Sequence, residues 1–316
     1  MTRPRTATLT LGLATALALG TASAYPDKPI QYIIPFAPGG ESDITARMQA
    51  QVFATKYKQQ MIVLNRPGAG GGLIWGQLNT MPADGYTISG VNLPHIVLQP
   101  LEGNVQYRTD DIAPVYFFQY TADAIVVPES SPFKTFQDLA KAAKDNPEKV
   151  TLAGSGTFSA NHMATERLNK LLGVKITYVP FKGTGDLSAS VAGGHVSGAM
   201  SYLPFAIQQK GKMRPLVIAT EKRHPVFPDV PTFRELGFNW VDGAYRGVAV
   251  PKPTPREIQK QVSDMMYAVN QDPAMRKQLA EGGYDLIDIT LEQMPAFLAE
   301  KSRAYIEDAK AAGLLK

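Results

Sequence analysis

Cysteine is absent from the 316-residue sequence, which excludes disulfide bonds, zinc–thiolate sites, iron–sulfur clusters and cysteine nucleophiles. Histidine is scarce, and no two of the four histidines have a short metal-ligand spacing. A large excess of one charge is also missing, because 32 basic residues face 28 acidic ones without a dense cluster of lysine and arginine. We therefore expect no metal site, no cofactor and no nucleic-acid partner.

Long apolar runs are missing after the N-terminus, since no later segment approaches 18 uninterrupted apolar residues. The N-terminus itself combines a basic start at Arg3 and Arg5, an apolar stretch from Ala7 to Leu19, and the A-x-A cleavage site Ala22-Ser23-Ala24. About 13 apolar residues are too few to span a bilayer, which needs about 20. The pattern predicts that residues 1–24 are a secretory signal peptide, cleaved after Ala24, and that the mature chain is soluble and exported.

Short apolar runs alternate with helical patterns along the rest of the chain, which favours an α/β protein with mostly parallel sheets. The length predicts two domains or one large α/β unit. The predicted strands are Ile30–Pro35, Met61–Leu64, Tyr86–Val91, Ala124–Val127, Val150–Ala153, Val174–Tyr178 and Leu216–Ala219. Helices are predicted to begin near Asp43, Gly72, Thr135, Ser159, Asp186, Thr254 and Thr290, and Thr232 with Glu235 has the spacing of a further capping box.

Three glycine-rich corners follow predicted strands, at the sheet edge where parallel sheets bind ligands. They are Pro38-Gly39-Gly40-Glu41-Ser42, Gly154-Ser155-Gly156-Thr157-Phe158-Ser159 and Lys182-Gly183-Thr184-Gly185. Glycine can serve the turn alone, but each corner also presents N–H groups at a helix start, where the dipole favours a negative group. A fourth glycine run, from Pro67 to Gly72, is either another N–H nest or a tight turn that allows close packing.

A carboxylate suits these corners better than a nucleotide phosphate. The motif GxxxxGK[ST] is absent, and Leu73 stands where the third glycine of GxGxxG would follow Gly68 and Gly70. Each carboxylate oxygen accepts charge-assisted hydrogen bonds worth about 1.5–3 kcal/mol. Three or four such bonds, less the ordering cost, give roughly micromolar binding, or about −8 kcal/mol.

Catalytic patterns are weak. Ser155 lies in Gly-Ser-Gly, outside the G-x-S-x-G nucleophile elbow, and we expect His162 to pack behind the loop or cap the helix. We expect Asp43 and Arg47, four residues apart, to form a surface ion pair in which Asp43 complements the helix dipole. The enzyme alternative is a secreted α/β hydrolase that uses Ser155 or Ser159 with His162.

Several blocks, in this order, resemble the Bug, or tripartite tricarboxylate transporter (TctC-like), solute receptors. The blocks are YPDKPIQYIIPFAPGGESDITAR, LNRPGAGGG, PADGYT, GSGTFSANH, VPFKGTG, GGHVSGAM and FPDVPTFRELGF. The resemblance implies the two-domain α/β fold of type II periplasmic binding proteins, with a mainly parallel sheet in each domain and a ligand cleft between them. By that likeness domain 1 comprises residues 25–126 plus 247–316, and domain 2 comprises residues 127–246.

The resemblance also implies where a carboxylate is held: by the first strand–helix loop, Phe36 to Ser42, and by the loop Ser155 to Asn161, which face each other across one cleft. These are corners that the glycines had already indicated. We predict no catalytic residue. The candidate ligand-binding residues are Phe36, Pro38, Gly39, Gly40, Glu41, Ser42, Asn92, Ser155, Gly156, Thr157, Ser159, Asn161, Gly183, Thr184, Tyr202 and Arg246.

The chain departs from the family pattern at two positions. Many relatives have an aspartate where this chain has Ser197, and many have a tryptophan before the glycine of the block AYRGVAVP, where this chain has Tyr245 and Arg246. If these positions line the cleft, both changes make it more positive. We hypothesise that Arg246 meets a second ligand carboxylate, because its planar fork suits that group. The alternatives are a solvated arginine or an interdomain ion pair.

The resemblance implies a monomeric periplasmic receptor that closes its two domains on a small organic acid, a dicarboxylate in our hypothesis, and then contacts a membrane permease. A receptor that serves a signalling partner instead would use the same cleft. Four aromatic residues near the corners either enclose an apolar ligand body or fill the core: Phe36, Phe158, Phe181 and Tyr202.

Overall fold

The computed structural model describes residues 25–315, so the predicted signal peptide and its cleavage site lie outside the described residues. The strands are β1 (Ile30–Ile34), β2 (Met61–Asn65), β3 (Thr87–Leu93), β4 (Ile112–Pro128), β5 (Thr151–Gly154), β6 (Thr177–Pro180), β7 (Gly198–Tyr202), β8 (Met213–Ile218), β9 (Gly243–Pro251) and β10 (Asp285–Ile289). The helices are α1 (Glu41–Tyr57), α2 (Gly72–Gln77), α3 (His95–Glu102), α4 (Phe136–Asp145), α5 (Ala160–Leu172), α6 (Thr184–Ala192), α7 (Leu203–Gln208), α8 (Arg256–Asn270), α9 (Pro273–Glu281) and α10 (Met294–Ala311).

Two long strands, β4 and β9, connect two groups of parallel strands. The sheet order is β2-β1-β3-β9-β4-β7-β5-β6, with β8 and β10 also paired to β4. The pairs β1–β2, β1–β3, β5–β6 and β5–β7 are parallel, whereas every antiparallel pair in the described residues includes β4 or β9. The outer strands are therefore parallel, as predicted, and the crossing strands are antiparallel.

Each group of strands has its own hydrophobic core. We call the unit around β1, β2, β3 and β10, with α1–α3 and α8–α10, lobe 1, and the unit around β5–β8, with α4–α7, lobe 2. One large apolar cluster fills lobe 1, and two smaller clusters lie on the two faces of the lobe 2 strands. The predicted domain boundaries, at 126/127 and 246/247, fall inside the crossing strands β4 and β9 and stay a prediction.

Local capping explains several helix starts. The Thr135 hydroxyl accepts a hydrogen bond from the Asp138 N–H at 3.1 Å, and the Ser159 hydroxyl accepts one from the His162 N–H at 3.1 Å. The predicted helix at Thr232 is wrong. Thr232 and Glu235 form both bonds of a capping box, but only a turn follows, because Gly237 takes a left-handed φ of +89° and redirects the chain.

Within residues 25–315, none of the helices combines the length and the apolar character that a membrane crossing requires.

Candidate ligand-binding site

A small cavity of about 10 Å³ lies between the lobes, beside the N-terminal ends of α1 and α6. Its walls contain residues from all three predicted glycine corners. The lining residues are Phe36, Gly40, Glu41, Ser42, Asn92, Ser155, Thr184, Tyr202 and Arg246. All nine belong to the predicted set. The other seven members lie in the same corners, next to the wall residues: Pro38, Gly39, Gly156, Thr157, Ser159, Asn161 and Gly183.

The first corner joins β1 to α1. Gly39 takes a φ of +79°, which favours glycine, and its N–H donates to the Asp43 carboxylate at 2.9 Å. The prediction that Asp43 forms a surface ion pair is wrong in one respect: it binds Arg47, but its side chain is only 5% exposed. Burial raises the pKa of Asp43, yet hydrogen bonds from Arg47 and Gly39 outweigh burial and lower the pKa below its ordinary value. Asp43 therefore fastens the turn to the helix.

The second corner is held by a side-chain amide. The Ser155 N–H and hydroxyl both donate to the Asn161 Oδ1, at 3.1 and 2.7 Å. Gly156 takes a φ of +91°, so the turn again needs glycine. The Asn161 Nδ2 is buried and has no hydrogen-bond acceptor among the described residues. This corner therefore keeps an unused donor behind the cavity wall.

The arrangement at His162 does not support hydrolase chemistry. Its Nδ1 accepts a hydrogen bond from the Phe158 N–H at 3.1 Å, and its ring stacks on Tyr178 with 4.6 Å between centroids. Burial lowers the pKa of His162 to about 4. The Ser155 hydroxyl binds Asn161, and the Ser159 hydroxyl binds Tyr178. His162 is thus a packing and capping residue, as predicted, and neither serine is hydrogen-bonded to its ring.

The lobes meet largely through backbone at the third corner. The Ala37 N–H of lobe 1 donates to the Lys182 carbonyl of lobe 2 at 3.2 Å, and the Thr184 hydroxyl donates to the Glu41 carboxylate. Gly185, in the first turn of α6, lies directly against Pro38, since a Cβ built on it would be 2.0 Å from the Pro38 carbonyl oxygen.

The fourth glycine run forms a tight turn, in which the Gly71 N–H donates to the Gly68 carbonyl at 2.9 Å. It also faces the second corner across the lobes. A Cβ built on Gly156 would lie 2.7 Å from the Gly70 Cα, so two glycines meet without side chains. The second of the two predicted roles, close packing, is the one that the structure shows.

Arg246 is the one cationic side chain in the cavity wall. It is 3% exposed, and its Nη2 lies 3.5 Å from the Glu41 Oε2. Its Nη1 donates to the Thr121 hydroxyl, and its guanidinium lies over the Tyr202 ring, 4.6 Å from the centroid. Its Nε has no acceptor among residues 25–315. The alternative of a solvated arginine is therefore wrong, and an internal ion pair with Glu41 is present.

Some expectations about neighbouring residues fail. Ser197 does not line the cavity. Its hydroxyl instead accepts a hydrogen bond from the Thr151 N–H at 3.1 Å, where β5 begins. Of the four aromatic residues near the corners, Phe36 and Tyr202 line the cavity, whereas Phe158 and Phe181 pack in the cores. Thr121, which holds Arg246, was missed because no sequence motif marks the middle of β4.

A second small cavity, of about 20 Å³, lies behind the crossing strands and is lined by Asp123, Asp242 and Asp308. Asp123 is 1% exposed, and its Oδ1 has no hydrogen-bond donor among the described residues. Burial, followed by the charge of Asp242, raises the pKa of Asp123 well above its ordinary value, against the opposing charges of Arg167 and Arg246. Burial also raises the pKa of Asp242 to about 6, although its side chain is 33% exposed.

Asp123→Asn is expected to raise the free energy of unfolding at pH 8 by about 1–3 kcal/mol, because it removes a buried carboxylate that lacks a donor. A raised pKa means that the folded protein keeps a proton that the unfolded chain releases, so stability falls as the pH rises from about 4 through the raised pKa. Urea unfolding at pH 5, 6.5 and 8 should show that the free energy of unfolding falls less steeply with pH for the variant than for the wild type. Equal slopes for both proteins would contradict this assignment.

Comparison with known families places the chain among transport receptors. The family model described as "Tripartite tricarboxylate transporter family receptor" (TctC) matches residues 45–311. A protein of Cupriavidus necator, the "UPF0065 protein in gbd 5'region", is 32% identical over 310 residues, covering 95% of this chain and 93% of the relative. Protein BugT of Bordetella pertussis is 29% identical and covers 92% of this chain and 90% of its own.

Solved structures give the same picture and confirm the predicted two-domain α/β fold class. The periplasmic binding protein BugD superposes with a TM-score of 0.86 at 26% identity, covering 92% of this chain and 100% of BugD. An R. palustris protein solved with adipate has a TM-score of 0.85 at 27% identity, covering 92% of this chain and 98% of that protein. MatC from Rhodopseudomonas palustris, with bound malate, has a TM-score of 0.80 at 27% identity, covering 91% and 99%.

Proposed function

Because the chain belongs to the tripartite tricarboxylate transporter receptor family, we propose that it captures a small organic dicarboxylate in the periplasm and delivers it to a membrane permease. The family and its structural neighbours are binding receptors rather than enzymes. The residues of the cavity therefore have to bind, orient and release a ligand, and no bond in the ligand is made or broken.

The buried guanidinium of Arg246 is the observation that carries this proposal. It lies in the cavity at the lobe interface, and its Nε donor is unused. The N-terminal ends of α1 and α6 add backbone N–H groups and a positive potential at the same place. The Ser42 hydroxyl adds a further donor, whereas the Ser155 and Thr184 hydroxyls already donate to Asn161 and Glu41 and leave their oxygen atoms in the wall. Such a wall is complementary to a carboxylate.

The structural neighbours support a short diacid. In the arrangement described, the cavity volume of about 10 Å³ is that of about one water molecule, so a diacid enters only when the lobes or the wall side chains move apart. The ligands named for two structural neighbours, adipate and malate, are both dicarboxylates. Phe36 and Tyr202 would cover the carbon chain between the two carboxyl ends.

Binding would work by lobe closure. Glu41 and Ser42 belong to lobe 1, whereas Ser155 and Thr184 belong to lobe 2, so a ligand that contacts both groups stabilises the closed arrangement. The crossing strands β4 and β9 are the connections that would bend as the lobes separate. The closed form would be the one that the permease recognises.

A panel of carboxylic acids tests the proposal by thermal unfolding. A dicarboxylate at 100 times its Kd should stabilise the protein by about 2.7 kcal/mol, which corresponds to a rise in Tm of roughly 5 °C or more. The matched controls are the diamides of the same acids, which keep the shape and lack the charge. If the diamides raise Tm as much as the acids do, or if no acid raises it, carboxylate recognition by this cavity is refuted.

A further inference from the structure

Two adjoining cavities lie beside α5 of lobe 2 and α10 of lobe 1, and neither shares a lining residue with the ligand-binding cavity. The inner cavity is the one of about 20 Å³ that Asp123 lines. The outer cavity has a volume of about 270 Å³. Met163, Asp242 and Asp308 line both, so the outer cavity leads to the inner one.

The inner cavity is acidic and has room for one small group. Its walls include the carboxylates of Asp123, Asp242 and Asp308, and within residues 25–315 no lysine or arginine lines it. Asp123 is 1% exposed, and its Oδ1 has no hydrogen-bond donor among these residues. A volume of about 20 Å³ exceeds the roughly 10–15 Å³ that one water-sized group needs. A group that enters has to donate a hydrogen bond, and a positive charge on it offsets the cost of the buried carboxylate.

The two cationic side chains of the outer wall already have partners. The Arg167 Nη1 lies 3.3 Å from the Asp242 Oδ2, and its Nη2 donates to the Asn239 carbonyl at 3.2 Å. The Lys170 Nζ donates to the Ala311 carbonyl. Neither cation is hydrogen-bonded to the inner carboxylate, so the unused acceptor there remains for a group that enters from outside.

A primary ammonium group suits this site better than a metal ion does. Within residues 25–315, no group of three or more histidine, cysteine, aspartate or glutamate side chains could hold a metal ion. An ammonium group is about as large as a water molecule and has three N–H donors. The outer cavity adds apolar atoms against which an alkyl chain can pack. They belong to Met163, Ala164, Leu171, Ala311 and Ala312.

We propose that the two cavities form a second binding site, which takes a primary ammonium group on a linear alkyl chain. The ammonium group donates to the Asp123 Oδ1 in the inner cavity, and the alkyl chain lies along α5 and α10 in the outer cavity. This site is independent of the proposed function, because none of its lining residues lines the ligand-binding cavity.

Calorimetry at pH 8 tests the site with butylamine and with 1-butanol, which has the same chain without the charge. Butylamine should bind at least tenfold more tightly than 1-butanol. Asp123→Asn should lower the affinity for butylamine at least tenfold, and because we expect this variant to be more stable than the wild type, misfolding does not explain such a loss. Asp145→Asn removes an exposed carboxylate of α4 and should leave the affinity unchanged. If butylamine does not bind, if the alcohol binds equally well, or if Asp123→Asn binds butylamine as the wild type does, the inference is overturned.

The pH dependence of butylamine binding gives a readout that a merely structural carboxylate would not show. Burial and the charge of Asp242 raise the pKa of Asp123, whereas an ammonium group beside it favours the ionised form. Binding therefore releases a proton, and the affinity should rise about tenfold from pH 5 to pH 8. The charged and titratable groups around Asp123 are Asp242, Arg167 of α5, Arg246 of β9, Tyr120 of β4, Tyr202 of β7, and Tyr305 and Asp308 of α10.

Asp242, whose pKa is raised to about 6, also ionises over this range and contributes in the same direction. In Asp123→Asn the rise should therefore shrink to about threefold or less. An affinity that does not change with pH in the wild type would contradict an ammonium group at Asp123.

A lysine derivative identifies the source of the ammonium group. N-acetyl-lysinamide has the same ammonium group and alkyl chain on a peptide unit. An affinity equal to that of butylamine would mean that the site accepts a lysine side chain of another protein, whereas an affinity tenfold lower would mean that it selects a free amine. Either result supports an ammonium site, and only the loss of the amine preference described above overturns it.

Discussion

Gly185→Ala is expected to lower ligand affinity by about 100-fold while leaving each lobe folded. Gly185 lies in the first turn of α6 without a positive φ, so alanine is locally favourable by about 0.5–1 kcal/mol. In the closed arrangement, however, its Cβ would lie 2.0 Å from the Pro38 carbonyl oxygen and 3.0 Å from the Gly40 nitrogen, both of them backbone atoms of lobe 1. The lobes must then stay apart.

Separation of the lobes costs the contacts that span them. The hydrogen bonds from Thr184 to Glu41 and from Ala37 to Lys182 would break, at about 1–1.5 kcal/mol each, which together corresponds to the expected loss of affinity. Calorimetry measures the affinity, and small-angle scattering should show that ligand no longer reduces the radius of gyration. Ser188→Ala, on the same helix, is the control and should bind as the wild type does. A Gly185→Ala protein with unchanged affinity would show that binding does not require this closure.

Arg246→Met should cost about 3 kcal/mol of stability and about 30-fold in affinity for dicarboxylates. The substitution leaves Glu41 buried with only the Thr184 hydroxyl as a partner. Breaking a buried ion pair in this way typically costs 3–5 kcal/mol, and we expect the lower end because the lobes can part and hydrate Glu41. The loss of affinity reflects a charged hydrogen bond worth about 2 kcal/mol.

The double variant Glu41→Gln with Arg246→Met distinguishes a lost charge from general damage to the fold. Because it removes both charges, urea unfolding should recover most of the 3 kcal/mol lost in Arg246→Met, whereas ligand binding should remain weak. A double variant as unstable as Arg246→Met alone would mean that the ion pair does not explain the loss. Tight binding of dicarboxylates by either protein would rule out a role for Arg246 in holding them.

Local sequence patterns predicted the strands and helices that lie next to the site. The apolar run before the first glycine corner became β1, and α1 begins at Glu41, because glycine after a buried strand leaves the helix start free. The strands β7, β9 and β10 were missed, as was the part of β4 that precedes Ala124. The two crossing strands contain polar residues such as Gln119, Thr121 and Arg246, which interrupt the apolar pattern although the strands are buried. Their pairing depends on contacts between distant segments.

The composition of the cavity could be predicted better than its interactions. Glycine corners and the family resemblance together indicated all nine lining residues. The pairing of Glu41 with Arg246 could not be read from the sequence, because it depends on the approach of α1 to β9 across the fold. For Asp43 the interaction could be predicted and the burial could not. Its pairing with Arg47 follows from their spacing on a helix, whereas its burial depends on the turn that its carboxylate closes.

The contact between Gly70 and Gly156 allows the affinity for a ligand and the selectivity between ligands to be adjusted independently. Both residues are outside the cavity wall, and no side chain separates the two backbones there. A larger side chain at this contact would hold the two lobes apart and lower the affinity for every ligand by the same factor. The residues of the cavity wall would be unchanged, so the affinity for a ligand could fall without a change in which ligand is preferred.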